Sequence, residues 1–227
     1  MIKAYEVGGC VRDRIMGLRS KDTDYAVEAP SYADMVAWIK ERGEIFLEQP
    51  QFWTVRAHIK GKPPADFVLC RRDGQYSDGR RPDTVMVGTL QDDLARRDFT
   101  MNAIALSETG EYIDPHNGRK DIEDRLIRCV GDAHERMNED ALRVLRAIRF
   151  AITKDMAIHM DLYCVFMDEK LTDKLRDSVS DERKREELAR CFSHDTLATL
   201  AYLEKFPLIK KACFGSRKMR LMPTMKL

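Results

Sequence analysis

With 227 residues, 44% apolar and 34% charged, the chain is long enough for one large domain or two modest ones, and its balance excludes a disordered or fibrous protein. No run approaches the roughly eighteen consecutive apolar residues of a membrane span, and MIKAYEVGGCVRD lacks the layout of a secretory signal, so no membrane partner and a cytoplasmic location are expected. A net charge of +1 advertises no polyanion, although the stretch from Lys205 onward holds seven basic residues and no acidic one, which suits either an RNA backbone or a solvated tail. The six cysteines (Cys10, Cys70, Cys129, Cys164, Cys191, Cys213) form no CxxC pair and have no histidine at zinc spacing, so reduced, mostly buried thiols are expected.

In chain order, residues 3–7 read as a buried strand, and Gly8-Gly9 turns the chain into a helix running to about Gly17. Residues 23–28 alternate as a strand. Residues 31–42 read as an amphipathic helix capped by Ser31 and ended by Gly43, followed by strands at 53–59 and 66–70. Residues 71–83, RRDGQYSDGRRPD, are charged and broken by glycine and proline and read as a mobile loop. Beyond Val130 the pattern becomes helical, at 132–138, 139–153, 159–176 and 181–203. The expected organisation is a head over 1–130, a helical neck over 131–203 and a short basic remnant over 204–227, without internal repeats.

Asp22-Thr23-Asp24 sets two carboxylates on one face if the segment is a strand, and neighbouring carboxylates repel unless a cation sits between them. Magnesium suits such oxygen ligands, although surface strands and turns also produce DxD. Gly8-Gly9 before a helix presents backbone amides to phosphate oxygens, or is simply a turn. Cradle and carboxylates together outline a site for a nucleoside triphosphate with bridging metals.

The run Gly8-Gly9-Cys10-Val11-Arg12-Asp13, then Gly17 and Asp22-Thr23-Asp24, resembles the head signature of the bacterial-type tRNA nucleotidyltransferase and poly(A) polymerase family. Asp93 to Ala103 (DLARRDFTMNA) resembles its second motif, Asp114-Pro115 with Gly118 and Asp121 the third, Glu139 to Phe150 (EDALRVLRAIRF) the fourth and Ser180-Asp181-Glu182-Arg183 the fifth. The resemblance runs from residue 2 to about 153, with the motifs in family order. It implies an α+β fold: a DNA polymerase beta-like nucleotidyltransferase head with a small mixed sheet and helices, followed by an all-helical neck.

Carried over by position, the resemblance makes Asp22 and Asp24 the Mg2+ ligands, with Asp66 as third carboxylate, although Asp66 also reads as a solvent residue on a strand edge. It places Gly8, Gly9 and Arg12 on the triphosphate, and Arg97, Asp98 and Asn102 on ribose and phosphates. An RRD triplet equally suits a helix start with Asp98 as cap. At 100° per residue Ala141, Val144, Leu145 and Ile148 share one buried arc, while Asp140, Arg143, Arg146 and Arg149 follow at i+3 steps as a ridge.

A carboxylate accepts from an exocyclic amine and a guanidinium donates to ring acceptors, which fits cytosine and adenine but not guanine or uracil. In the family the positions of Asp140 and Arg143 template the incoming base. Arg146 and Arg149 then serve phosphates or sugar. The implied partners are CTP, ATP and an RNA 3′ end, tRNA in the first place. The implied activity is CCA addition, with poly(A) or A-only addition as the alternative and an inactive RNA-binding protein as a third reading. Family members usually continue into helical regions that grip tRNA, which leaves RNA selectivity and oligomeric state open.

Overall fold

The computed structural model describes residues 2–20, 22–76 and 82–215. The chain divides into two compact units, Met1–Gln75 with Asp83–Asp124, and Tyr76–Pro82 with Arg125–Leu227.

The first unit begins with β1 (Lys3–Val7), α1 (Gly9–Ile15), β2 (Asp24–Glu28) and α2 (Tyr32–Lys40). Ser31 caps α2 by accepting the Asp34 amide at 3.1 Å. Then come β3 (Gly43–Gln49), β4 (Thr54–Ile59), β5 (Ala65–Leu69), β6 (Arg71–Asp73), β7 (Val85–Val87), α3 (Leu90–Ala95), β8 (Ala105–Leu106), β9 (Tyr112–Ile113) and α4 (Gly118–Glu123). A seven-stranded sheet runs β3-β4-β5-β2-β1-β8-β9, with β2 and β5 parallel and its other pairs antiparallel. This is the small mixed sheet with helices that the resemblance implies.

The period-two alternation of β4 and β5 buries Val55, Ala57, Ala65, Phe67 and Leu69 against Met35, Val36 and Ile39 of α2. Each large apolar side chain so buried contributes about 1.5–3 kcal/mol relative to exposure. Tyr25 and Phe67, register partners across β2 and β5, stack with centroids 4.8 Å apart and planes 7° from parallel.

Two expectations for this unit change. Gly43 does not merely end α2 but opens β3, a strand the alternation did not show. Five of its seven residues are exposed, none is fully buried, and its register shifts between Ile45 and Leu47, so no buried face imposes a period. The expected loop over 71–83 is in part a hairpin stem: β6 pairs with β7, and the Gly74 amide donates to the Thr84 carbonyl at 2.8 Å. Charged residues hid the strand, since both faces of this two-stranded ribbon carry polar groups. Residues 77–81 lie outside the described residues.

The second unit holds β10 (Leu126–Ile127), α5 (Ala133–Glu139), α6 (Arg143–Lys154), β11 (Ala157–Ile158), α7 (Met160–Phe166), α8 (Glu169–Ser178), α9 (Asp181–His194), α10 (Thr196–Lys205) and α11 (Pro207–Phe214). Val144, Leu145 and Ile148 of α6 are buried, as the helical arc requires, and Ala141 is buried with them from the turn that precedes the helix. The single helix expected over 159–176 is two, because Asp168 accepts the Lys170 amide and starts a new helix. Asp195 likewise splits 181–203 by accepting the Ala198 amide at 2.9 Å.

Helix α11 stands where only a basic tail was expected. Pro207 opens it at a position that needs no amide donor, and it buries Ile209, Ala212 and Cys213. Of the six thiols, five are buried and Cys164 is exposed. Among the described residues no helix is long and apolar enough to cross a membrane.

Candidate active site

In the first unit the sheet register does the assembling. The antiparallel ladder pairs Val7 with Asp24, so the glycine turn that follows β1 lies beside the start of β2. The parallel ladder sets Asp66 of β5 opposite Asp24. Asp22 lies two residues ahead of the strand rather than within it as expected, with the Ser20 hydroxyl donating to its carbonyl at 2.8 Å.

The Asp24 side chain reaches solvent, yet the protein packed around it supplies the largest push raising its carboxyl above the usual range. Asp66 and Asp22 push the same way, and Arg97 and Arg56 oppose them. Asp66 is partly buried between two strands rather than on a sheet edge, and Arg56 sits 3.4 Å from its carboxylate.

Gly8 adopts φ 75° and ψ −131°, far from any region open to L-residues, and a Cβ there would stand 2.9 Å from Arg97 Nη1. Arg12 is only 6% exposed, and its Nε and Nη2 both donate to Asp13 Oδ1. Arg12 Nη1 donates to Asn102 Oδ1 at 2.7 Å, and Asn102 Nδ2 donates to Asp98 Oδ1 at 2.9 Å. Arg97 Nη1 donates to the Asn102 carbonyl at 3.2 Å.

Gly8, Gly9, Arg12, Arg97, Asp98 and Asn102 therefore form one connected group. Asp98 does not cap a long helix but accepts the Phe99 amide ahead of a short 3₁₀ turn at Thr100–Asn102. Asp93 opened the second motif but was given no role; it is 1% exposed and holds both Arg96 and Arg97. Its i+3 and i+4 spacing to two arginines was the available signal.

The second unit carries the other predicted residues. Asp140 is not on the helix: it is extended (φ −145°, ψ 102°), and Oδ1 accepts the Leu142 amide at 3.0 Å. Its Oδ2 accepts from Arg183 Nη2 of α9 at 2.7 Å. The continuous ridge from Asp140 to Arg149 is thereby broken, because a carboxylate that caps a backbone amide competes with helix continuation.

Arg143 is pinned by Glu139 Oε2 at 2.6 Å and by the Arg136 carbonyl at 2.8 Å. Arg149 ion-pairs with buried Glu187 and lies 4.0 Å over the Phe150 ring, while Arg146 stands 3.9 Å from the same carboxylate. Burial pushes the Arg149 guanidinium down even against Glu187. Arg183 and Glu139 belonged to quoted motifs, and the i+4 spacing of Glu139 and Arg143 was a local signal for their pairing, whereas Glu187 gave none, since only the tertiary fold brings it to Arg149.

The family model described as the poly(A) polymerase head domain matches residues 4–128. The chain belongs to this family. The head-domain chain is 43% identical over 159 residues to a CCA-adding enzyme of Geobacillus stearothermophilus, covering 70% of this chain and 38% of that protein. It is 43% identical over 150 residues to one of Lactiplantibacillus plantarum, covering 66% and 36%. Its fold matches the CCA-adding enzyme of Bacillus stearothermophilus in complex with CTP, with a TM-score of 0.79 and 32% identity over 97% of this chain and 53% of that one. It also matches a tRNA nucleotidyltransferase complexed with a primer tRNA and an incoming ATP analog, with a TM-score of 0.75 and 27% identity, over 94% and 59%. The chain thus spans about 38% of the length of the curated relatives it matches.

Proposed function

We propose that this chain is a template-independent RNA 3′-end nucleotidyltransferase that builds the CCA end of tRNA from CTP and ATP and releases pyrophosphate. The observation that carries this is the register that sets the Gly8 turn, Asp24 and Asp66 side by side in a head-domain fold related to enzymes of that name.

Among the described residues no three side chains stand close enough to hold a metal ion by themselves. The crowded Asp22, Asp24 and Asp66 nevertheless fit magnesium, which one or two carboxylates commonly hold together with substrate phosphates. Asp22 and Asp24 are the metal ligands in this reading, and Asp66 is the third carboxylate. Bound Mg2+ would supply charge neutralisation at the attacked phosphate and activation of the RNA 3′-hydroxyl.

The residues of the chain itself do the binding and orienting. Gly8 and Gly9 offer backbone amides to the triphosphate, and Arg12 and Arg97 carry charge beside it. Asp98 and Asn102 fix the hydrogen-bonded floor. The 3′-oxygen bonds to the α-phosphorus as the bond to the bridging oxygen breaks, and pyrophosphate leaves with the charge these groups offset.

In the second unit Asp140 accepts from the base amine and Arg143 donates to a ring acceptor. Asp140 keeps acceptor capacity, since a carboxylate offers about four lone-pair sites and the Leu142 amide with the two Arg183 N–H groups occupies three. Arg146 and Arg149 stay with the nucleotide's phosphates or sugar.

The test incubates the chain with tRNA lacking CCA and supplies CTP, ATP or both. Products that stop three nucleotides longer with both, and no incorporation by Asp22→Ala, are expected. Long A tails would support a poly(A) polymerase, the reading favoured by the name of the family model. No incorporation by the unaltered chain would support a non-catalytic RNA-binding protein.

A further inference from the structure

The reading above assigns Arg97 to the nucleotide but not what aims it. An exposed arginine samples many rotamers, and fixing one costs on the order of 2 kcal/mol of entropy. Arg97 follows the last turn of α3, and Asp93, one turn earlier, is 1% exposed. Arg97 Nε and Nη2 both donate to Asp93 Oδ2, at 3.2 and 3.0 Å. The other oxygen, Oδ1, takes Arg96, whose Nε lies at 3.0 Å.

Each edge of one buried carboxylate is thus filled by one guanidinium fork. Burial alone would raise this carboxyl, and Arg97 and Arg96 together outweigh it and hold it below the usual range. The clamp continues into the hairpin: Arg96 Nη1 is 3.9 Å from Asp73 Oδ2, and Asp73 Oδ1 is 2.9 Å from Arg71 Nε. The Asp73 side chain is only 4% exposed. Charge alternates along Arg71, Asp73, Arg96, Asp93 and Arg97, with an excess of one positive charge and Arg97 as its end group.

Of the five guanidinium N–H groups of Arg97, these contacts and the one to the Asn102 carbonyl use three. Two remain, beside a glycine that has no Cβ to obstruct them. A phosphate oxygen at the turn would meet a guanidinium already oriented.

We propose that Asp93 is a positioning residue for the nucleoside triphosphate: it clamps Arg97 against the Gly8 turn, and Asp73 of the β6–β7 hairpin steadies the clamp through Arg96. This rests on the reading of Gly8 and Arg97 as a phosphate site. Asp93 touches no substrate itself, so its effect should pass through Arg97 alone.

The test is a double-mutant cycle on the full chain, titrated with ATP and Mg2+, with thermal unfolding recorded for each variant. Asp93→Asn should weaken ATP about tenfold, the scale of one charge-assisted contact, but no more than about twofold when Arg97→Ala is already present. Equal losses in both backgrounds would mark a merely structural role and overturn the proposal. Weakened binding in Arg97→Ala with none in Asp93→Asn would also overturn it, while leaving the site reading intact. Unimpaired binding in Arg97→Ala would instead overturn the phosphate-site reading. If Asp93→Asn does not fold, Asp73→Asn serves in its place: about a threefold loss confined to the Arg97 background supports the clamp, and a loss in both backgrounds or in neither overturns it.

Discussion

Gly8→Ala tests the turn on which the site reading depends. Its φ of 75° and ψ of −131° lie outside the regions an alanine adopts, which costs about 1–3 kcal/mol. The new methyl would also meet Arg97 Nη1 at 2.9 Å and push it from the Asn102 carbonyl, a loss of about 1 kcal/mol. For a chain of this size each kcal/mol lowers the apparent unfolding temperature by about 2–4 °C, so the total of about 2–4 kcal/mol corresponds to a fall of about 4–16 °C. The control is Gly17→Ala, where φ is 70° but nothing lies within 4 Å, so only a backbone cost of about 1 kcal/mol applies. Circular-dichroism melts and ATP titrations of both variants measure the difference. If Gly8→Ala melts with Gly17→Ala and binds ATP as the unaltered chain does, the contact between the turn and Arg97 is not real.

Other perturbations bear on the carboxylates and the base-reading residues. The folded chain holds the Asp24 proton more tightly than the unfolded chain does, so without a cation the contribution of this group is fully present below about pH 4 and is lost as pH rises through the raised folded value. Asp24→Asn should therefore raise the metal-free melting temperature at pH 7 and abolish any rise on adding Mg2+, as read by melts across pH. Arg183→Met removes the 2.7 Å contact with Asp140 and should cost about 1 kcal/mol, because both side chains keep some solvent contact. The same variant, like Arg143→Ala, should narrow the preference for CTP and ATP over UTP and GTP in primer-extension assays. Retained selectivity in both would count against a protein template.

Local chemistry made much of the head legible. The strand, glycine turn and helix at the start, the Ser31 cap and the buried arc of α6 follow from period and capping, which depend only on near neighbours. What was hidden depends on distant partners. Asp140 looked like one more residue on a helical ridge because nothing nearby reveals that Leu142 and Arg183 hold it off the helix. Asp22 and Asp24 were read as sharing a strand face, whereas only Asp24 is in the strand and Asp66 is its neighbour across the sheet. The β6–β7 stem was invisible for a related reason: a ribbon with polar groups on both faces has no hydrophobic alternation to show.

The stacked rings of Tyr25 and Phe67 sit one residue beyond Asp24 and Asp66 on the same two strands. Because side chains alternate faces with a period of two, a slip of one residue would replace a carboxylate with an aromatic ring on the solvent side and bury a charge in the core. The ring stack therefore acts as a gauge block: it belongs to the hydrophobic interior, yet it sets the spacing of the charges on the opposite face. Variation at Phe67 that preserves folding but loosens the stack would be felt first in the spacing of Asp24 and Asp66, before any change in the shape of the head.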